Sequence, residues 1–176
     1  MPKFSHYQGM VYRAHDPRWA FDPVSGEGAK HKGGRFNSKG TKALYTSNTF
    51  EGAWDEAQLG FPNKPQPLTL CTYEVDCSDL IDLTCHLTRQ ALNITLGDIN
   101  GNWLLKEKNR RIPKPQQIAL TLIQLGAVGI IVPSFSRTAR PNNANLVFWD
   151  WCEVKPHQII VIDDNGRLPN DQRSWS

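Results

Sequence analysis

Alternation of apolar and polar side chains predicts a series of short β-strands along this chain. The segments with strand-like patterns are residues 9–14, 43–46, 67–75, 80–83, 127–132, 145–149 and 158–163. The pattern over residues 86–112 is less regular and favours one or two short helices. Because strands and helices are interspersed without the regular alternation of a doubly wound sheet, we expect an α+β fold.

Two segments have the three-to-four-residue periodicity of amphipathic helices. In residues 49–59, one apolar stripe contains Phe50, Ala53, Trp54 and Ala57. Asn48 and Glu51 resemble a capping box at the start of this helix. In residues 115–125, a proline opens the first turn and Gly126 follows the last one, which is typical of helix boundaries.

The composition is that of one soluble domain. The chain has 176 residues, of which 39% are apolar and 21% are charged, so a packed core is expected. A net charge of +3 favours an anionic small ligand and is too low to indicate DNA binding. The N-terminal sequence lacks a signal-peptide pattern, and the longest apolar run, residues 127–133, is too short to span a bilayer. We therefore expect a cytoplasmic protein that does not contact a membrane.

The cysteines and histidines do not form a metal-binding pattern. None of the four cysteines has a partner at C-x-x-C spacing, and the five histidines are not clustered. We expect reduced thiols, with Cys71 in a core strand, and no bound metal.

The polar segment over residues 16–40, predicted to be a loop, contains the richest combination of chemistry. It is longer than most loops of compact domains, and such loops usually have a function. Glycines such as Gly34 let the backbone approach a ligand closely, and Arg35 and its lysine neighbours supply positive charge. This combination suits a diphosphate. A solvated basic loop, with glycines needed only for turns, fits the pattern equally well.

Three further polar residues stand where a site could form. Arg13 lies between apolar neighbours in a strand, and a guanidinium buried there must be paired or ligand-bound. Glu56 lies at the border of the first helix's apolar stripe, one turn after Gly52 and Ala53, which leave space beside its carboxylate. Ser134 follows the most apolar strand. The alternatives are a strand-edge arginine, a surface acid and a turn serine.

In this order, these pieces resemble the RES domain, a family named for its arginine, glutamate and serine. The matching segments are Tyr12-Arg13, residues 25–37 with Gly-Gly-Arg-Phe-Asn, Tyr45, Glu56, Gly129-Ile-Ile-Val-Pro-Ser134 and Asn145-Leu-Val-Phe. Phe36 stands where the family more often has tryptophan. The resemblance covers residues 9–163 and implies a single domain over residues 1–176 with a polar C-terminal tail. The implied fold is similar to that of ADP-ribosyltransferases: a split β core with flanking helices around an NAD cleft.

The resemblance implies a toxin that cleaves the nicotinamide–ribose bond of NAD by hydrolysis or phosphorolysis. NAD is then the substrate, and no cofactor or metal is required. The implied catalytic residues are Glu56, Arg13, Tyr45 and Ser134, and the implied NAD-binding residues are Arg13, Gly34, Arg35, Tyr45 and Ser134. The implied partner is an antitoxin with an Xre-type helix-turn-helix domain that occludes the cleft. A homodimer within that complex is compatible with the family.

Three other functions remain open from the sequence. The first is mono-ADP-ribosyl transfer to a protein. The second is RNA binding or cleavage, suggested by a basic cluster of Lys106, Lys108, Arg110, Arg111 and Lys114. The third is a non-catalytic interaction module with Trp149 and Trp151 at its surface. The absence of a histidine pair placed for acid–base cleavage disfavours the second, and we expect no nucleic acid binding by this chain.

Overall fold

Six β-strands form the centre of the fold in the computed structural model, which describes residues 3–59, 63–101 and 111–173. The strands are β1 (Ser5–His15), β2 (Leu44–Ser47), β3 (Thr69–Asp82), β4 (Gly129–Pro133), β5 (Ala144–Phe148) and β6 (His157–Val161). Each strand predicted from the apolar pattern has a counterpart. The predicted strands 67–75 and 80–83 are in fact one strand, β3, because β1 pairs with it from Thr69 to Leu80 across the polar residues between them.

The pairings of β1 to β5 form a closed circuit. The hydrogen-bonded order is β1-β2-β5-β4-β3-β6, and β1 also pairs with β3. β3 and β4 are parallel, whereas the other neighbouring strands are antiparallel. This mixed sheet with flanking helices confirms the expected α+β class. The weakest junction joins β1 to β2 through the single register pair Tyr12↔Ser47.

Five short α-helices flank the sheet within the described residues. They are α1 (Glu27–Lys32), α2 (Phe50–Gln58), α3 (His86–Ala91), α4 (Leu96–Asn100) and α5 (Lys114–Gln124). The polar segment 16–40 is therefore not a simple loop, as predicted, because it contains α1 and a 3-10 turn at Pro17–Trp19. Six residues are too few for a helical period to stand out in the sequence. The predicted helices between residues 86 and 101 are α3 and α4, and residues 102–110 lie outside the described part.

Helix α2 packs on the sheet through small residues instead of aromatic ones. Its buried residues are Gly52 and Ala53. Phe50 and Trp54 of the predicted apolar stripe are 52% and 40% exposed. A Cβ at Gly52 would lie 3.3 Å from Ser47 Oγ, so α2 approaches β2 closely because this position has no side chain. Glu56, one helical turn after Gly52, is consequently half-buried against the sheet.

The capping box predicted at Asn48 and Glu51 is wrong by one residue. The cap is Thr49, whose Oγ1 accepts a hydrogen bond from the Gly52 N–H at 3.1 Å. The Asn48 amide instead donates to the Asn142 carbonyl and accepts from the Ala144 N–H, both at 2.9 Å. Asn48 thereby ties the start of α2 to the start of β5.

Two apolar clusters lie on opposite faces of β5. Val147 belongs to the first cluster, and its neighbours Leu146 and Phe148 belong to the second, as expected for alternating side chains. Helices α4 and α5 complete the first cluster with Ile99, Ile118, Ala119 and Leu122. β1 and β3 complete the second with Val11, Cys71, Tyr73, Val75, Cys77 and Leu80. Cys71 is a free, buried thiol, as predicted.

The C-terminal segment, predicted to be a loose polar tail, contacts the fold through several of its described residues. The Asp163 carboxylate accepts hydrogen bonds from the N–H groups of Arg167 and Leu168, at 2.7 and 3.0 Å. The Leu168 side chain packs against the second apolar cluster. Gln172 Nε2 donates to the Arg18 carbonyl at 3.3 Å. Among the described helices, none has the length and hydropathy needed to cross a membrane.

Candidate active site

A cavity of about 860 Å³ lies beside the junction of β1 and β2. This volume is within the range of roughly 300–1000 Å³ that is typical of small-molecule sites. β1, β2 and β5 contribute Arg13, Tyr45 and Asn145 to its lining, α2 contributes Glu56, and the segment before β2 contributes Gly34 and Arg35. Five of the six predicted site residues therefore line one cavity. The sixth, Ser134, does not.

A smaller recess of about 260 Å³ adjoins the large cavity. Its walls are the facing ends of β1 and β2, with Ala53, Glu56 and Ala57 of α2. The two spaces share Arg13, Tyr45, Glu56 and Asn145. Glu56 thus stands at the boundary between a large cavity and a small one.

The Glu56 carboxylate is oriented by a chain of hydrogen bonds from the sheet. Asn145 Nδ2 donates to Glu56 Oε1 at 2.9 Å. Ser47 Oγ donates to Asn145 Oδ1 at 2.6 Å, which fixes the amide with its NH₂ group toward the carboxylate. Ser47 is only 2% exposed, so its hydroxyl is held in place. The sequence places Asn145 at the start of a predicted strand without indicating its role, although a polar residue that opens an apolar strand is a signal for a site residue.

Asp55, the neighbouring acid on α2, has a different role. Its Oδ2 accepts hydrogen bonds from the hydroxyls of Ser136 and Thr138. Asp55 therefore secures the loop that follows β4, and it lines neither cavity. Of the acidic residues on α2, Glu56 is the one that faces both cavities.

Arg35 is a half-buried cation in the lining of the large cavity. Its Nη1 donates to the carbonyls of Ile99 and Gly101, at 3.3 and 3.1 Å, and its guanidinium carbon lies 5.7 Å from the centre of the Phe135 ring. Burial lowers the pKa of Arg35, and the negative charge of Glu56 offsets part of this effect. The side chain nevertheless stays charged, because arginine starts far above neutral pH.

The turn Gly34-Arg35-Phe36-Asn37 is held rigidly against β2. The Tyr45 hydroxyl donates to Asn37 Oδ1 at 2.7 Å and accepts from the Phe36 N–H at 2.9 Å. A Cβ at Gly34 would lie 2.5 Å from that hydroxyl, so only glycine fits. Burial raises the pKa of Tyr45, which keeps the hydroxyl protonated and able to donate. The hydroxyl is thus committed to the turn, and the ring is the part of Tyr45 left to contact a ligand.

Two tryptophans hold the ends of the segment that carries α1. Trp149 Nε1 donates to the Phe36 carbonyl at 2.9 Å, and Trp151 Nε1 donates to the Val24 carbonyl at 3.1 Å. Trp149 is 5% exposed. The surface position considered for Trp149 is therefore wrong, because its side chain is buried, whereas Trp151 is half-buried.

Arg13 and His15 form the β1 wall of the cavity. Arg13 Nη1 donates to the Pro23 carbonyl at 3.2 Å, and the buried Tyr73 hydroxyl donates to the same oxygen at 2.6 Å. His15 is 8% exposed, and its Nδ1 lies 3.1 Å from the Asp16 carbonyl. Burial lowers the pKa of His15, and the Arg13 charge adds to this effect, so the imidazole is neutral at pH 7. No pattern in the sequence indicates that His15 lines a cavity.

The chain and its fold match a known family. Residues 10–171 match the RES domain. The chain belongs to the RES-domain family. Its structure is similar to one in the crystal structure of the M. tuberculosis MbcT-MbcA toxin-antitoxin complex, with a TM-score of 0.63 and 20% identity over 91% of this chain and 84% of that chain. At this identity, the likeness shows the fold alone. No curated protein matches the sequence.

In this RES domain, the predicted serine lies beside the cavity wall and not on it. Ser134 Oγ accepts a hydrogen bond from the Ser136 N–H at 3.4 Å, and the Ser134 N–H donates to the Asn143 carbonyl at 2.9 Å. Its neighbour Phe135 does line the large cavity. The contacts of Ser134 therefore shape the loop that places Phe135 beneath Arg35.

A second group of reactive residue types lies elsewhere in the RES domain. His6 Nδ1 lies 3.0 Å from Ser78 Oγ, and His6 Nε2 lies 3.3 Å from Asp76 Oδ1. Asp76 is also paired with Lys155 at 2.6 Å. None of these residues lines either of the two cavities described above. Among the described residues, no cluster of three or more His, Cys, Asp or Glu side chains could hold a metal ion.

Proposed function

We propose that this RES-domain protein cleaves the nicotinamide–ribose bond of NAD. The observation that carries the proposal is the convergence of Glu56, Arg13 and Arg35 on one cavity of about 860 Å³. These residues come from a helix, a strand and a turn that are far apart in the sequence. A carboxylate and two guanidinium groups match the two charged parts of a dinucleotide: the cationic nicotinamide ribose and the anionic diphosphate.

The chemistry requires stabilisation of a cation and little proton transfer. When the bond between nicotinamide and ribose C1′ breaks, its electron pair leaves with nicotinamide, which becomes neutral. Positive charge develops on the ribose, as in glycoside hydrolysis. Glu56, oriented by Asn145, faces this charge and stabilises the transition state more than the ground state. An oxygen of the acceptor then supplies the electron pair for the new bond to C1′ and releases its proton to solvent.

Arg13 and Arg35 bind and orient the diphosphate in this scheme. Each has one guanidinium nitrogen fixed by a backbone carbonyl, so the cations are already positioned before the substrate arrives. The ring of Tyr45 contacts the nicotinamide ribose. No metal and no further cofactor takes part in the proposed reaction.

Water or phosphate is the acceptor that the geometry favours. The recess beside Glu56 has a volume of about 260 Å³ and is walled by β1, β2 and α2. Such a space suits a small acceptor better than a protein side chain. Hydrolysis or phosphorolysis is therefore preferred to mono-ADP-ribosylation of a protein. The basic cluster that suggested RNA lies largely outside the described residues and carries no proposal.

The test is to incubate the purified protein with NAD, with and without phosphate, and to identify the products by mass spectrometry. We expect free nicotinamide together with ADP-ribose or its phosphate. Glu56→Gln should lower kcat by roughly 100- to 1000-fold, because one preorganised electrostatic group is removed. Glu51→Gln is the matched control on the same helix, at an exposed acid that lines neither cavity, and should retain activity. NAD consumption by Glu56→Gln at the wild-type rate would refute the assignment, and a mass gain on a protein would identify a transferase.

We further propose that the protein is the toxin of a toxin–antitoxin pair. A protein of similar fold has been solved in a toxin–antitoxin complex. The proposed partner is an antitoxin with an Xre-type helix-turn-helix domain that covers the cavity, and the proposed site of action is the cytoplasm, where NAD is consumed. Expression of the wild-type chain should stop growth and lower cellular NAD, whereas Glu56→Gln should do neither. Growth arrest without NAD loss would contradict this proposal.

A further inference from the structure

A pair of aromatic side chains lies in the large cavity without a role in the proposed chemistry. Trp19 and Phe21 both line the cavity, and their ring centres are 6.3 Å apart with an angle of 36° between the planes. Trp19 is 57% exposed. An exposed indole in a concave site is a surface for binding another flat, apolar group.

The backbone around Trp19 is fixed in place. Asp16 Oδ1 accepts a hydrogen bond from the Arg18 N–H at 3.0 Å and caps the turn Pro17–Trp19. The Arg18 side chain also binds the Asp16 carboxylate, at 2.6 Å for the Nη2–Oδ2 pair. Gln172 Nε2 donates to the Arg18 carbonyl at 3.3 Å. The indole therefore extends from a turn that hydrogen bonds hold in place, which reduces the entropy lost when a ligand binds.

The aromatic pair lines the large cavity but not the small recess. Glu56 and Arg13 line both spaces, whereas Trp19 and Phe21 line the large cavity alone. Arg13 Nη1 is bonded to the carbonyl of Pro23, two residues after Phe21, so the guanidinium is tied to the segment that carries the aromatic pair. The large cavity thus combines a carboxylate at the recess, a guanidinium and an aromatic pair outside the recess. A dinucleotide has three corresponding parts: nicotinamide ribose, diphosphate and purine.

We propose that Trp19 and Phe21 bind the purine base of the dinucleotide by stacking. This inference rests on the proposed function, because it assumes that the nicotinamide ribose lies at Glu56. The π-face of a purine is broad and stacks on indole and phenyl rings without needing directional hydrogen bonds. The structure thus assigns the adenosine half of the substrate to the segment between β1 and α1.

The first test is the binding of ADP-ribose measured by calorimetry, which does not depend on cleavage. Trp19→Ala should weaken binding by roughly 5- to 150-fold, the range expected for loss of one stacking contact. Trp19→Phe should restore most of the affinity. Trp54→Ala is the matched control, since Trp54 is also partly exposed but lines neither cavity, and it should bind like wild type. Equal affinity of Trp19→Ala and wild type overturns the proposal, as does a wild-type protein that does not bind ADP-ribose.

The second test compares NAD with nicotinamide mononucleotide, which lacks the adenosine half. Trp19→Ala should raise KM for NAD with little change in kcat, and should leave both parameters unchanged for the mononucleotide. An equal loss on both substrates would show a structural effect and overturn the proposal. Failure of the wild type to cleave NAD, combined with Trp19-dependent binding of ADP-ribose, would refute the proposed function and leave the purine site standing. Loss of antitoxin binding alone in Trp19→Ala would show a protein-docking surface and overturn the purine site.

Discussion

At the scale of single residues, the orientation of the Glu56 carboxylate depends on one amide. Asn145 donates to Oε1 and is itself held by the Ser47 hydroxyl. In the proposed reaction, the other carboxylate oxygen, Oε2, faces the substrate. Because that reaction would depend on fixed charged groups, a small rotation of this carboxylate should reduce the stabilisation of the transition state.

Replacement of Asn145 by aspartate should change the pH dependence of the reaction. A second negative charge beside Glu56 makes it harder to ionise both carboxylates. As the pH is lowered, the variant should therefore lose activity at a higher pH than the wild type. The measurement is kcat/KM for NAD between about pH 5 and 8. Asn142→Asp adds the same charge at an exposed position that lines neither cavity, and should keep the wild-type profile. An unchanged profile in Asn145→Asp would exclude the proposed positioning role.

At the scale of elements, the site depends on a turn and a helix that approach the sheet through glycines. Gly34 brings the turn 34–37 against Tyr45, and Gly52 brings α2 against Ser47. In both places the backbone fills the space that a side chain would need. The positions of Arg35 and Glu56 therefore follow from the absence of a side chain at a nearby residue.

Gly34→Ala should destabilise the fold and weaken ligand binding together. Its Cβ would lie 2.5 Å from the Tyr45 hydroxyl and 2.7 Å from Asn37 Oδ1, so the turn must shift, at a cost of about 1–3 kcal/mol. Gly28→Ala is the control, because a Cβ in that position of α1 meets no atom within 4 Å. It should leave the free energy of unfolding unchanged or raise it by about 0.5–1 kcal/mol. Urea denaturation of both variants distinguishes these outcomes, and equal stabilities would contradict the packing argument.

The sequence predicted the positions of the strands and helices better than it predicted which of their faces are buried. Apolar patterning, as alternation or as the uniformly apolar run 127–132, located all six described strands, because burial in the sheet imposes it directly. The apolar stripe with Phe50 and Trp54 predicted the wrong buried face for α2. The helix packs so closely on β2 that the small residues Gly52 and Ala53 are buried and the aromatic rings stay exposed. Hydrophobicity alone does not report how close two elements lie.

At the scale of the whole molecule, the fold brings together residues that the sequence identifies only as separate candidates. The sequence alone is consistent with a site role for Glu56, Arg13 and Arg35, and also with a surface role for each of them. Their shared cavity depends on the single pair between β1 and β2 and on long-range contacts of the turn 34–37 with α4 and α5, which no local pattern encodes. For the same reason, Asn145 and His15 were missed.

His15 should make the stability of the whole fold depend on pH. Burial lowers the pKa of this imidazole in the folded state, and the unfolded value is about 6.5. Below that value the unfolded chain binds the proton more readily, so the folded state loses stability as the pH falls. The free energy of unfolding should decrease less between about pH 7.5 and 5.5 in His15→Gln than in wild type. The exposed His31, changed to Gln, is the control, and identical pH dependence in His15→Gln and wild type would refute the argument.

The two indole N–H groups that hold the carbonyls of Val24 and Phe36 have an evolutionary consequence. They fix both ends of the segment between Val24 and Phe36, so residues could be inserted or deleted within it without moving either end. Doubling the length of a segment with fixed ends costs only about 0.6 kcal/mol in entropy. Insertions or deletions between the anchors would therefore reshape the part of the cavity wall that α1 forms, while the strands that carry Arg13, Tyr45 and Asn145 stay in place.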